Sequence, residues 1–485
     1  MRSSFSFLSL LHLAYGQCDQ AASYFESALS SESQIFFPNA ANYSDNVIQR
    51  WNTYPTPSFA LAVKPNDETD VQKIVAYSRQ NNISILALGG GHGGTTTLNT
   101  IQNGILIDLS AFSTVAIAPS QNRLTVGGAV RFRDVLPPLQ RAGKELPVGS
   151  CSCVGMTSAA LGGGIGALNG KHGLILDSLE SVRMVVGTGA AVTASATENP
   201  DLFWGVRGAG HNLGVVTAST FRVYDATNGG VVLNADMRFA PAANRSVFDV
   251  LEAFGRGQPD ELALTLSWKY DAEGCGGTCL LLNAIYAGPS EDGVRLLQPF
   301  FDLRPYAQNV STVAWADSLK VARFGSDSKA CTTGRPHSVW SANLYTFDTG
   351  AFGRAFDYYD ATVVSGQGKL DDSGLTLTMN GVSGITAIPD DETAYAHRDA
   401  RAFFYFDIKT KEPSVREQAD NMGREIRAIL AETSGSPSGK LDVYVNFAHG
   451  DEEPSAVYGE RKLPKLKSLV AKYDPDRLFS HFNNF

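Results

Sequence analysis

The chain has 485 residues, 43% of them hydrophobic, and a formal net charge of −9 at neutral pH. That length holds two or three domains with real cores, while its 40 Lys and Arg are scattered among 49 Asp and Glu rather than striped, which excludes a nucleic-acid partner. Beyond the N-terminus no segment approaches the ~18 uninterrupted apolar residues of a membrane span, so no membrane partner is expected.

The first residues, "MRSSFSFLSLLHLAYG", place Arg2 before an apolar stretch from Phe5 to Tyr15 and end in the small-x-small pair Ala14 and Gly16. Residues 1–16 are therefore expected to be a signal peptide and the mature protein to be secreted. A first helix of the fold is the competing reading, because His12 and the serines interrupt the apolar run. Sequons at Asn42, Asn82, Asn244 and Asn309 suit a secretory route.

In an oxidising compartment the six cysteines should mostly pair. Cys275 and Cys279 flank two glycines that allow a local bridge, and Cys18 with Cys331 would make a second. Cys151 and Cys153, in "PVGSCSCVGMTSAALGGGIG", are too close to bridge each other without strain. Their C-x-C spacing also misses the C-x-x-C of redox and zinc motifs.

From Ser58 to Gly94 the chain reads strand, helix, strand, glycine loop. Thr69 with Gln72 forms a candidate capping box, and Val71, Ile74 and Val75 supply an apolar helical face. The strand Ile83 to Leu88 ends in Gly89, Gly90, Gly91, His92, Gly93 and Gly94, where backbone N–H groups can approach an anionic ligand. Gly89, Gly91 and Gly94 satisfy G-x-G-x-x-G, yet a β-branched triplet and the strand "ILIDL" follow where a dinucleotide fold needs a helix, and Asp108 comes too early. Next come the strand "RLTVGGAV", an amphipathic segment from Phe132 to Arg141, and "DSLESVRMVVGTGAAVTAS", a two-stranded unit. A helix from about Pro200 to Trp204 and one more strand follow. Residues 17–225 thus form one α+β nucleotide-binding unit. Residues 226–440 alternate over long stretches, as in "LALTLSWKY" and "RAFFYFDIKT", and are expected to build a substrate domain on a broad antiparallel sheet flanked by helices. The segment 441–485, helical from Glu460 to Tyr473, is expected to return to the first unit.

Five stretches, "LGGGHGG", "GSCSCVGMTSAALGGGIG", "NPDLFWGVRGAG", "ETAYAHR" and "YDPDRLFSHFNNF", resemble in order and spacing the berberine-bridge-enzyme-like branch of FAD-linked oxidases in the vanillyl-alcohol-oxidase superfamily. The resemblance spans nearly the whole mature chain. It implies a two-lobed α+β fold, an FAD cofactor, and often a double attachment of that FAD. The histidine of the first glycine loop, here His92, would bond the 8α-methyl group. The cysteine of G-x-C-x-x-V-G would bond C6, and Gly149, Cys151, Val154 and Gly155 keep that spacing while Cys153 does not. Cys153 is then expected to be a small buried filler. Further cofactor contacts are implied at Ser158, Gly164, Val216 and Asn446.

In the same family the residue three after the tethering cysteine resembles an oxygen gate. Val154 there implies an oxidase that makes H2O2, though a valine at that position also suits a packed core. Tyr444 of Y-x-N is the implied catalytic base, which requires its pKa to fall from near 10; packing beneath the ring is its other reading. Tyr395, His397 and Tyr405 are reserves, with His397 and Arg398 also suited to fixing a turn or a domain contact. Three positions depart from the family pattern: Leu88, Ser158, and Phe447 in place of a second tyrosine. The expected partners are O2 and a small alcohol, phenolic or secondary-metabolite substrate, with an oligosaccharide oxidised at its anomeric hydroxyl, or a dehydrogenase using another acceptor, as alternatives. A thiol hydrolase using Cys151 or Cys153 would need that thiol free. A monomer is the expected state.

Overall fold

The computed structural model describes residues 19–410 and 412–485; the leader and Cys18 lie outside them. The first lobe begins with a four-stranded sheet in the order Gln34–Phe36, Phe59–Lys64, Gly104–Asp108, Ile85–Leu88. Phe59–Lys64 and Ile85–Leu88 run parallel to Gly104–Asp108 between them. The crossover helix Glu68–Gln80 buries Val71, Ile74 and Val75 in a core shared with Leu61, Val63, Ile105 and Ile107. Its N-cap is Asp67 rather than Thr69: the Asp67 carboxylate accepts the Asp70 N–H at 3.0 Å, two residues earlier than the expected box, because a short acidic side chain already satisfies a free donor of the first turn.

A five-stranded antiparallel sheet completes this lobe, in the order Val115–Ala118, Arg123–Gly127, Gly214–Arg222, Leu179–Val186, Ala191–Ser195. The last two strands are the two-stranded unit expected from the sequence. Phe132–Arg141 is a helix that buries Phe132, Val135, Leu136 and Leu139. The helix at Pro200 runs on to Ala209.

The second lobe is a seven-stranded antiparallel sheet, ordered Ala307–Ala314, Val231–Phe239, Gly277–Tyr286, Leu262–Asp271, Gly374–Asn380, Ala402–Ile408, Ser338–Leu344. Because successive side chains alternate faces, one face presents Leu264, Leu266, Phe404 and Phe406 to a dry core shared with Phe248, Phe352 and Ile426 of the helices Asn244–Gly255, Thr349–Ser365 and Arg416–Glu432. The other face carries Asn234, Asp236, Asn283, Thr376, Tyr405 and Asp407 toward the first lobe.

The tail packs on the first lobe. Within the helix Leu463–Tyr473, the Tyr473 hydroxyl donates to Asp201 at 3.0 Å. Leu478 and Phe479 join the core of the first sheet, and Asn483 Oδ1 accepts from Thr95 Oγ1 at 2.6 Å.

The cysteines depart from expectation at one bridge. Cys275 pairs with Cys279, but Cys153 is bonded to Cys331, 178 residues away with Cα atoms 5.8 Å apart. Cys153 is therefore not a free filler, and Cys331 is not available to Cys18. Among the described residues Cys151 is the free cysteine. No helix of the described residues is long and apolar enough to cross a membrane.

Candidate active site

Where Ile85–Leu88 ends, the glycine loop runs edge-on against the loop at residues 149–155. A Cβ on Gly90 would stand 2.3 Å from the Gly155 nitrogen, and Gly91 has φ +78°, so only glycine allows this approach. Among the described residues, no backbone N–H from Gly90 to Gly94 donates to another protein group. Five successive donors left free by the protein suit a ligand rich in acceptors. They border a cavity of about 360 Å³. Arg50 extends the same demand: its Nη2 donates to Gly93 O at 3.2 Å, its Nη1 is buried without a partner, and burial pushes the guanidinium down to about 10.

Gly89, Gly90, Gly91, His92, Gly93, Gly94, Gly149, Cys151, Val154, Gly155, Ser158, Gly164, Tyr444 and Asn446 all line this one cavity. Val216 does not. Its side chain lies in the core on the strand Gly214–Arg222, and Gly214 reaches the wall instead. Ser158, one of the departures from the family pattern, accepts a hydrogen bond at its backbone carbonyl from His211, whose ring stacks on Phe482 at 4.2 Å.

Burial, with Arg131 and His337 nearby, pushes His92 down to about 4. Its imidazole is neutral at neutral pH, with a nitrogen lone pair free to act as a nucleophile. Behind it Trp51 stacks, at 5.6 Å, and Trp51 lies in turn on His337 at 3.5 Å. The buried His337 donates from Nδ1 to Asp407 at 3.0 Å, and Lys409 Nζ stands 3.2 Å from the same carboxylate. Burial acts to raise Asp407, but Lys409 and His337 outweigh it and hold it below the usual carboxylate range. Trp51, His337, Asp407 and Lys409 carried no signal in the sequence, since each is an isolated residue that only the fold brings to the wall.

The expected base is corrected. The Tyr444 hydroxyl accepts from the Gly164 N–H at 2.8 Å and from Asn446 Nδ2 at 2.7 Å. Despite both donors, burial pushes the phenol up to about 12, and no cation offsets it. A phenol so placed keeps its proton at neutral pH, the opposite of the lowered value that the role of base requires. Of the reserves, Tyr405 lines the cavity with its pKa raised by burial and by Cys151. Tyr395 and His397 do not reach it. His397 Nε2 donates to Ala456 O at 2.9 Å, and Arg398 pairs with the Asp177 carboxylate at 2.7 Å, the tertiary contacts that were one reading of this stretch.

A loop of free amides leading to a histidine and a thiol in one elongated cavity, between a parallel-stranded unit and a broad antiparallel sheet, defines a flavin-nucleotide-binding protein. An FAD-binding-domain family model matches residues 59–195, and a berberine and berberine-like model matches residues 443–484. The chain is 40% identical over 467 residues to the FAD-linked oxidoreductase azaL of Aspergillus niger, covering 95% of this chain and 98% of that one. It superimposes on Physcomitrella patens BBE-like 1 with a TM-score of 0.80 at 21% identity, over 95% of this chain and 97% of that one. Acremonium strictum glucooligosaccharide oxidase also gives 0.80, at 20% identity over 96% and 98%. The chain belongs to the berberine-bridge-enzyme-like family and is an FAD-linked oxidoreductase.

The residues present fit that cofactor: the free N–H groups and Arg50 suit its pyrophosphate, and His92 and Cys151 suit the edge of its ring.

Proposed function

We propose that the protein is a secreted oxidase of a small alcohol, phenolic or secondary metabolite, that it holds FAD through both His92 and Cys151, and that it passes the electrons to O2 as H2O2. The observation that carries this is the meeting of His92, Cys151 and the free glycine-loop amides on one wall, with Cys153 removed from contention by its disulfide. The Acremonium strictum enzyme is described with a 6-S-cysteinyl, 8α-N1-histidyl FAD, which supports the same pair here. Two disulfides and the leader-like N-terminus support secretion.

When bound, the flavin supplies the hydride acceptor. The chain supplies the rest. Tyr444, its oxygen fixed by Gly164 and Asn446, is the catalytic residue that contacts the substrate oxygen and so holds the reacting C–H in one orientation, and the proton of that oxygen leaves to solvent as the hydride is taken. Tyr405 and Phe447 close the sheet side and exclude water. That aromatic edge favours a compact substrate over a long glycan, and Trp51 is the one tryptophan in the wall.

Acid-precipitated wild-type protein should stay yellow, and a colourless precipitate refutes the attachment. Peroxide release screened over alcohols, phenolics and sugars identifies the substrate. Turnover confined to sugars would move the assignment to the oligosaccharide oxidation named for several structural neighbours.

A further inference from the structure

We infer that Arg323 is the positioning residue for Cys151, so that the second flavin bond depends directly on the substrate lobe. The inference rests on the double attachment proposed above.

Arg323 and Phe324 stand side by side with φ +57° and +53° inside the segment Ser318–Gly325. Two successive non-glycine residues in the left-handed region persist only where their surroundings hold them. Here the Asp236 carboxylate accepts the N–H of Arg323 at 2.7 Å and that of Phe324 at 3.0 Å. Asp236 is wholly buried and is itself held by Asn283 Nδ2 at 2.8 Å and Asn234 Nδ2 at 3.1 Å. A polar network in the sheet thus fixes a corner that no loop connection requires. The corner aims the guanidinium at one place: Nη2 donates to the carbonyl of Ser150, the residue before Cys151, at 2.8 Å, which sets the charge beside the Cys151 sulfur. On the other flank of Cys151, Ser152 donates from N and Oγ to Asp327 at 2.9 and 2.5 Å, and Cys153 is bonded to Cys331. Ser150, Ser152 and Cys153, the residues on both flanks of Cys151, are therefore held by the stretch 323–331.

In the attachment, the S–H bond of Cys151 and the C6–H bond of the flavin break and the S–C6 bond forms. Two protons leave to water, and the two electrons pass to the flavin and then, with two protons, to dioxygen as H2O2. Arg323 fixes which way the sulfur faces while this happens.

The test uses His92→Ala, in which Cys151 alone can bond the flavin, and compares Arg323, Arg323→Lys and Arg323→Gln on that background. The readouts are the flavin absorbance of acid-precipitated protein and the mass of the peptide that contains Cys151. Arg323→Gln should retain less than a tenth of the bond. Arg323→Lys, which keeps a cationic donor, should restore a large part of it. In chains with His92 intact, Arg323→Gln should keep its flavin through His92, which reports folding independently of Cys151. A complete Cys151 bond in Arg323→Gln overturns the proposal, as does loss of both bonds, which would mark Arg323 as merely structural. No Cys151 bond with Arg323 intact overturns the attachment reading and this inference with it.

Discussion

The loops bearing His92 and Cys151 meet at the same cavity wall, yet different physics holds them. The His92 loop is held by what it lacks: with no side chain, Gly90 lies on Gly155, and Gly91 O accepts the Trp51 N–H at 2.8 Å, with the second lobe reaching it through Trp51, whose ring lies on His337. The Cys151 loop is held by what reaches it from the second lobe, the Cys153–Cys331 bond, Asp327 and Arg323. A backbone arrangement tolerates almost no substitution and meets the other lobe only at one remove. A side-chain arrangement tolerates conservative change but fails when the partner lobe moves.

The most severe way to break the first arrangement is Gly90→Ala. Its Cβ would overlap the Gly155 backbone, so the purified protein should carry no flavin absorbance at all. Next, Tyr444→Phe should leave flavin content unchanged but slow flavin reduction by roughly 10²-fold, the scale of a lost orienting contact; stopped-flow reduction by substrate measures it. Val154 ties the Cys151 loop to the helix Phe132–Arg141, its carbonyl accepting from Phe132 N at 3.1 Å and its N–H donating to Cys151 O at 3.3 Å. Val154→Ile should slow reoxidation by O2 roughly tenfold, about 1.4 kcal/mol of barrier, with reduction by substrate nearly intact.

The second arrangement is sharpened by Cys153→Ser with Cys331→Ser. Opening so long a loop should cost about 2–5 kcal/mol, seen as a lower Tm, and, of the two attachments proposed above, that through Cys151 should fall while that through His92 persists. Equal loss of both bonds would erase the distinction between the loops.

The smallest effect is a pH dependence at the floor that both loops share. Burial pushes His211 from 6.5 down to about 4. Between those values the unfolded chain binds a proton that the folded chain refuses, so stability rises with pH across the window and is lost as pH falls from 6.5 toward 4. Tm measured through that range should drop, and His211→Phe should flatten the drop.

Most of the scaffold was legible because it rests on local period and punctuation. The alternation in "RAFFYFDIKT", the i, i+3, i+4 set at Val71, Ile74 and Val75, and a strand closing into six residues with one histidine all act over a few neighbours, and each folded as read. The motif spacing also separated Cys151 from Cys153. What the tertiary structure alone decided are the choices of partner. Cys331 rather than Cys18 bonds Cys153 because the lobes dock that loop against residues 327–331. Val216 turns into the core because the register of its strand places Gly214 at the wall. Tyr444 is acidic or basic according to what surrounds it, and burial without a neighbouring cation drives it up, against the expectation for a base. Arg323 reaches Cys151 only because Asp236, 87 residues earlier, captures two backbone N–H groups. Such contacts depend on how two sheets are placed against each other, and no spacing along one chain encodes that placement.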